Sequence, residues 1–193
     1  MTMLQSHYTP GLLEAGLDEV GRGCLAGPVV AAAVILPPDY THPVLTDSKQ
    51  LSRRQRDRLQ ADIRRDALAW AIAEVSPADI DRINILNASF LAMHRATDAL
   101  IIRPEHLLVD GNRFTPYPLT PHTCIIKGDS LFLSIAAASI LAKTYRDELM
   151  ETLGLTYPAY GWAQNAGYPT AHHRAAIAEH GTTEHHRLSF RHK

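Results

Sequence analysis

The chain has 193 residues, 46% of them hydrophobic and 20% charged, which is enough for one domain with a sizeable core. Nineteen Lys and Arg against twenty Asp and Glu leave a formal charge of −1, so there is no global basic footprint, and any contact with nucleic acid falls to a local patch. Cys24 and Cys124, without a CxxC, give neither a disulfide framework nor a cysteine zinc site; no stretch reaches membrane-spanning length, Met1 to Pro10 lacks an apolar leader core, and a reducing, cytoplasmic setting is expected.

Leu12 to Leu17 is a short apolar run closing on Asp18 and Glu19. Gly21-Arg22-Gly23 and a small-residue turn follow, then Val29 to Leu36, a β-branched run bounded by prolines. Two runs around a glycine-rich turn predict an antiparallel hairpin. Ser52 with Gln55 fits a capping box opening an Arg-rich helix with Leu59 and Ile63 on its apolar stripe. Ala67 to Val75 reads as a strand with Trp70, Ile72 and Val75 inward. Ser76-Pro77-Ala78-Asp79 starts a helix, with Ser as N-cap, Pro at N1 and an acid at N3. Leu86, Phe90, Met93, Thr97 and Leu100 recur at helical spacing, and Pro104 ends that pattern. Two short strands follow: His106 to Val109, ending on Asp110, and Thr123 to Ile126, ending on Lys127-Gly128-Asp129. Ser130 is expected to cap a helix from Leu131 to about Met150, with Lys143 and Arg146 emerging at its polar end. The tail beyond is less regular, with a short helix around Ala171 to Glu179.

Strands cluster first, then strand and helix alternate, which predicts an α/β domain with a mixed sheet flanked by helices and a site at the strand ends. Residues 1–152 are expected to form the core, and residues 153–193 a small, mostly helical C-terminal extension completing a substrate groove. Three apolar runs end in acid. If their strands are neighbours, Asp18, Glu19, Asp110 and Asp129 converge at one sheet edge. Adjacent carboxylates at a buried strand end are costly unless a cation neutralises them, and hard oxygen ligands suit Mg²⁺ or Mn²⁺. Two such ions can activate a water and stabilise a leaving oxygen in phosphodiester cleavage. Any one of these Asp residues alone reads better as a cap or solvated edge; four placed this way favour a site. Gly21-Arg22-Gly23-Cys24-Leu25-Ala26 also fits a dinucleotide fingerprint, but Pro28 and a β-branched run follow where a helix is required, and the acid pair would repel pyrophosphate.

The ordered motifs resemble those of the bacterial ribonuclease HII family, within the ribonuclease H-like superfamily. Gly16 to Val34 resembles the N-terminal signature of that family, Thr46 to Ser52 its DSK-x-L-S segment, and Leu108 to Asn112 and Lys127 to Asp129 its later acidic motifs. Ser134 to Asp147 resembles its long helix, and Tyr157 to Thr170 and His186 to Phe190 its C-terminal motifs. Cys24 stands where many relatives have proline, and Gln164-Asn165-Ala166 where they often carry lysine or histidine, which bears on phosphate affinity.

The resemblance implies a ribonuclease H-like fold and an endonuclease acting on RNA paired with, or embedded in, DNA. It cuts 5′ to the ribonucleotide and leaves 3′-OH and 5′-phosphate ends, with roles in ribonucleotide excision repair and RNA primer removal. Asp18, Glu19, Asp110 and Asp129 are then the catalytic acids holding two Mg²⁺ or Mn²⁺ ions. Gly21, Arg22 and Gly23 read the 2′-OH, which fits the freedom of glycine backbone to crowd a ribose. Tyr168 packs on the next deoxyribose. Lys49, Lys127, Lys143 and Arg146 read either as phosphate contacts or as plain surface charge. The chain is expected to be a monomer that engages no membrane, and the sequence leaves a sliding-clamp contact open.

The other polar clusters read as structural. Arg53, Arg54, Arg56 and Arg58 read as a solvated helix face. His172, His173, His180, His185 and His186 lack a second ligand set with zinc-finger spacing and are expected in surface or structural roles. Trp162 and Phe190 read as packing. A non-catalytic binding module is disfavoured by the intact acids. A type 1 ribonuclease H is disfavoured by the Gly-Arg-Gly segment with Tyr168, and a type HIII enzyme by the lack of a long extra N-terminal domain.

Overall fold

The computed structural model, which describes residues 4–45 and 51–191, forms a five-stranded sheet in the order β3-β2-β1-β4-β5. The predicted hairpin is β1 (Glu14–Val20) antiparallel to β2 (Val29–Ile35), with Leu17 opposite Ala33. β3 (Ala69–Val75) extends it antiparallel on the β2 side, while β4 (His106–Asp110) and β5 (His122–Ile125) add in parallel on the other. β2 is buried throughout, because its alternating side chains meet helices on both faces.

On one face, Val29, Ala31, Ala33 and Ile35 pack with α3 (Ile85–Asp98). On the other, Val30, Ala32 and Val34 pack with Leu59 and Ile63 of α1 (Arg53–Asp66) and with the Ala136–Ala138 turn of α4 (Leu133–Thr156). The Ser52–Gln55 capping box opens α1 as predicted, and Ser76 caps α2 (Pro77–Ile83) through the Asp79 amide. Gly16 lets β1 and α4 touch backbone to backbone, since a Cβ there would run into the Ser134 peptide.

Several local expectations change. In α3 the predicted Met93 and Thr97 are buried, joined by Ala88, Ser89, Ala92 and Ala96, while Leu86 and Phe90 are only half-buried, because small residues let the helix approach the sheet closely. In β3, Trp70 and Ile72 are half-buried toward α1 and α4 while Ala69, Ala71 and Val75 are buried toward the opposite helix layer, since both faces are covered. Ser130 does not cap α4. Gly128–Ser130 instead forms a 3₁₀ turn, and the helix begins at Leu133 and runs on to Thr156, across the expected 152/153 boundary. Beyond it lie α5 (Trp162–Asn165) and α6 (Ala171–His180). Trp162, Tyr160, Ala176 and Ile177 pack with Met150, Leu25 and Ala26, so the extension rests on the turn that follows Gly21-Arg22-Gly23. Among the described residues, no helix is long and apolar enough to cross a membrane.

Candidate active site

β1 and β4 run parallel with Leu17 opposite Val109, so Asp18 and Asp110 follow side by side at the C-terminal ends of neighbouring strands. Asp129 enters from the 3₁₀ turn after β5 and is buried. Both Glu19 and Asp129 act electrostatically on Asp18, so the four acids meet at one edge of the sheet, as the alternation of apolar runs and acids predicted.

The acids act on one another. Burial first, then repulsion from Glu19 and Asp110, push the Asp18 carboxyl well above the usual range; the Ser139 hydroxyl of α4 opposes this, and Asp129 adds to it. Burial also raises Glu19, against the attraction of Arg22, whose guanidinium donates to Glu19 Oε1 at 3.0 Å. Other groups also engage the acids: Glu19 N–H donates to Asp18 Oδ1 at 2.7 Å, Gly128 N–H to Asp110 Oδ1 at 2.7 Å, and the Ser130 hydroxyl to Asp129 Oδ1 at 3.5 Å. Among the described residues, no group of three His, Cys, Asp or Glu side chains is gathered closely enough to hold an ion as it stands. In donor chemistry the set fits a hard divalent cation: oxygen only, crowded, net negative and half desolvated.

The Gly21–Gly23 loop lies directly beyond the acids. Gly21 has φ +93°, and a Cβ there would collide with the Arg146 side chain; at Gly23 a Cβ would meet nothing within 4 Å. Gly23 thus presents bare backbone outward. Arg146, read as a phosphate contact or as surface charge, is instead fully buried. Its Nε donates to Pro28 O (2.9 Å), its Nη2 to Ala26 O (3.0 Å) and its Nη1 to Ala166 O (2.8 Å). A buried guanidinium needs such acceptors, and the carbonyls of the turn after the loop and of Ala166 supply them. Arg187 does the same, with Nε and Nη2 on Gly27 O and Nη1 on Arg22 O; burial lowers its pKa to about 10, so it stays charged at neutral pH.

Tyr168 is 39% exposed, beside the loop, with its hydroxyl at the Cys24 thiol; burial pushes both groups up. Lys143 lies within electrostatic reach of Cys24 and donates to Asp147 Oδ1 at 2.7 Å. Asp147 also takes Arg56, and Glu151 takes Arg53, so two members of the basic run tie α1 to α4. Lys49 falls outside the described residues. His173 and His186, expected in surface or structural roles, are buried and hydrogen-bonded to one another. Ser139 and Arg187 were given no individual role from the sequence; Ser139 carries a local signal, a hydroxyl inside the apolar run Ile135 to Leu141, and Arg187 carries none.

The family model described as Ribonuclease HII matches residues 15–193. The chain belongs to the ribonuclease HII family. A curated Ribonuclease HII from Bacteroides thetaiotaomicron is 63% identical over 188 residues, covering 97% of this chain and 94% of that protein. In fold, the chain is similar to the crystal structure of the ribonuclease H2 from Pyrococcus horikoshii (TM-score 0.78, 24% identity, 93% of this chain and 94% of that one). It is also similar to Bst ribonuclease HIII in complex with Mn²⁺ (TM-score 0.65, 22% identity, 94% of this chain and 68% of that one). Membership of the ribonuclease HII family makes the chain a ribonuclease H enzyme.

Proposed function

We propose that this ribonuclease HII is a divalent-metal-dependent endonuclease that hydrolyses RNA in RNA–DNA hybrids and at single ribonucleotides embedded in duplex DNA. It cuts 5′ to the ribonucleotide and leaves 3′-OH and 5′-phosphate ends, as needed in ribonucleotide excision repair and primer removal. The observation that carries this reading is the meeting of Asp18, Glu19, Asp110 and Asp129 beside a loop whose Gly23 backbone faces open space.

Asp18, Glu19, Asp110 and Asp129 hold the ions, and their mutual repulsion makes cation binding favourable. When bound, a pair of Mg²⁺ or Mn²⁺ ions supplies an activated water and a charge clamp on the leaving oxygen. Gly21 and Gly23 bring backbone groups against one 2′-OH, the atom that separates RNA from DNA. The half-exposed ring of Tyr168 packs on the following sugar, where a 2′-OH would intrude. Lys143 and Lys49 approach phosphates. Arg146 serves the substrate through the loop it holds.

The test is cleavage mapping on a duplex carrying one ribonucleotide, with Mg²⁺, with Mn²⁺ and with chelator. A single cut 5′ to the ribonucleotide, lost in chelator, is expected. A requirement for a run of consecutive ribonucleotides overturns the junction reading, and activity with chelator present overturns the metal assignment.

A further inference from the structure

Two histidines that the sequence left without a function form a buried pair behind this site. His173 is 0% exposed and His186 2%. Their Nε2 atoms are 3.2 Å apart, and Trp162 Nε1 lies 3.0 Å from His173 Nε2. An indole N–H can only donate, so His173 Nε2 accepts and carries no proton. The proton of His173 is therefore on Nδ1, which donates to Tyr168 O at 3.0 Å. On the other ring, the Thr183 backbone N–H donates to His186 Nδ1 at 2.9 Å. His186 thus carries its proton on Nε2, directed at His173. This is one consistent assignment of two neutral tautomers. It also removes the zinc reading at this pair, because the Nε2 lone pair of His173 already faces two N–H donors.

The placement of the pair gives it a role. His186 bridges antiparallel to Ala26, and Arg187 N–H donates to Leu25 O, so His186 rides on the segment that continues from Gly21-Arg22-Gly23. His173 stands at the start of α6, anchored by the Thr170 cap, and holds the carbonyl of Tyr168. The ring-to-ring hydrogen bond therefore links the segment bridging Ala26 to the Tyr168 carbonyl, beside the direct bond from Leu25 N–H to Gly167 O at 2.8 Å.

We infer that His173 and His186 are positioning residues that fix the separation between the Gly21–Gly23 loop and Tyr168, and so set selectivity for a ribonucleotide–deoxyribonucleotide junction over a uniform hybrid. The inference rests on the junction reading above. The pair lies behind the residues proposed to meet substrate, so its effect passes through the placement of Tyr168.

The test compares kcat and KM on a single-ribonucleotide duplex and on a uniform RNA–DNA hybrid. His173→Asn keeps a donor near the Nδ1 position and loses the link to His186. His173→Gln keeps an acceptor near the Nε2 position and loses the Tyr168 bond. Each is expected to lower the junction-to-hybrid ratio of kcat/KM by about tenfold or more, chiefly through kcat on the junction substrate, because a displaced group misplaces bound substrate. His172→Ala, on the exposed face of α6, should leave the ratio at the wild-type value. A ratio unchanged in both His173 variants overturns the inference while leaving the junction reading intact. A wild type without junction preference overturns both, which is a different result. Should the variants fail to fold, ¹⁵N NMR of the wild-type imidazoles decides. Nδ1–H at His173 with Nε2–H at His186 supports the strut, and a charged ring or the reverse tautomers overturn it.

Discussion

Arg187 Nη1 donates to the Arg22 carbonyl across 3.0 Å, joining the C-terminal segment to the peptide between the two loop glycines. The same guanidinium gives two further bonds to Gly27 O, so one buried side chain fixes both ends of the loop. Lysine offers a point charge without the planar fork and can reach only part of this set. Arg187→Lys should therefore cost about 1–3 kcal/mol, the range for leaving a buried acceptor unsatisfied, with a matching drop in cleavage. A urea midpoint equal to wild type would show that the fork is dispensable.

The two loop glycines should behave differently when changed to alanine. Gly21 combines φ +93° with the Arg146 side chain in the space of its missing Cβ, so Gly21→Ala should destabilise the free protein. Gly23 has neither constraint. Gly23→Ala should stay within about 0.5 kcal/mol of wild type in unfolding. If a ribose packs there, it should lose on the order of a hundredfold in cleavage. Full activity in Gly23→Ala would remove the ribose from this position.

The crowding at Asp18 predicts opposite effects on activity and stability. A group whose pKa is raised on folding contributes stability below its unfolded pKa and loses it as pH rises through the folded value. At neutral pH and in chelator, Asp18 thus destabilises the fold through burial and the neighbouring Glu19 and Asp110. Asp18→Asn should melt higher than wild type in chelator and be nearly inactive with Mg²⁺ or Mn²⁺. Asp110→Asn should follow in activity, and thermal melts with paired assays check both. Wild-type rates at saturating metal would sink the acid assignment.

How much of this was legible follows from how local each signal is. Apolar runs ending on Asp18-Glu19, Asp110 and Lys127-Gly128-Asp129 are readable because a continuous apolar run and its terminal acid lie within a few residues of each other. Capping at Ser52 and Ser76 is readable for the same reason. Arg146 was misread because a charged residue near a helix end looks solvated, and only the carbonyls of Ala26, Pro28 and Ala166, brought in by the tertiary fold, make its burial tolerable. The predicted α3 stripe holds in part, with Met93 and Thr97 buried and Phe90 and Leu100 packed on the core, but its alanines went unread because bulky residues at helical spacing outrank them on any hydrophobicity scale. The His173–His186 pair was illegible because neither ring has a local partner of the other.

The C-terminal segment should respond to pH through Asp81. Burial would raise this carboxyl, but the Ser189 hydroxyl and the amides of Ser189 and Leu188 outweigh it and hold it below its ordinary value. For a depressed acid, the stabilisation is present above the unfolded pKa, about 3.9, and is lost as pH falls through the lower folded value. Asp81→Asn should therefore be less stable than wild type at pH 7, and the gap should close in strongly acidic buffer. Urea titrations at both pH values measure it, and a constant gap would mean that the carboxylate charge is irrelevant there.

Tyr168 separates a ring from its hydroxyl. The hydroxyl sits at Cys24, inside the protein, while the side chain is 39% exposed beside the loop. If the ring packs on a deoxyribose, Tyr168→Phe keeps that surface and should retain most junction cleavage, at the cost of about 1 kcal/mol for a lost internal hydrogen bond. Tyr168→Ala removes the surface and should lose on the order of a hundredfold on a single-ribonucleotide duplex, with a smaller loss on a uniform hybrid. Chemistry remains at the acids in both variants, so metal-dependent stabilisation should be unchanged. Equal losses in Tyr168→Phe and Tyr168→Ala would place the function in the hydroxyl and its Cys24 contact, and would remove the sugar-packing role from the ring.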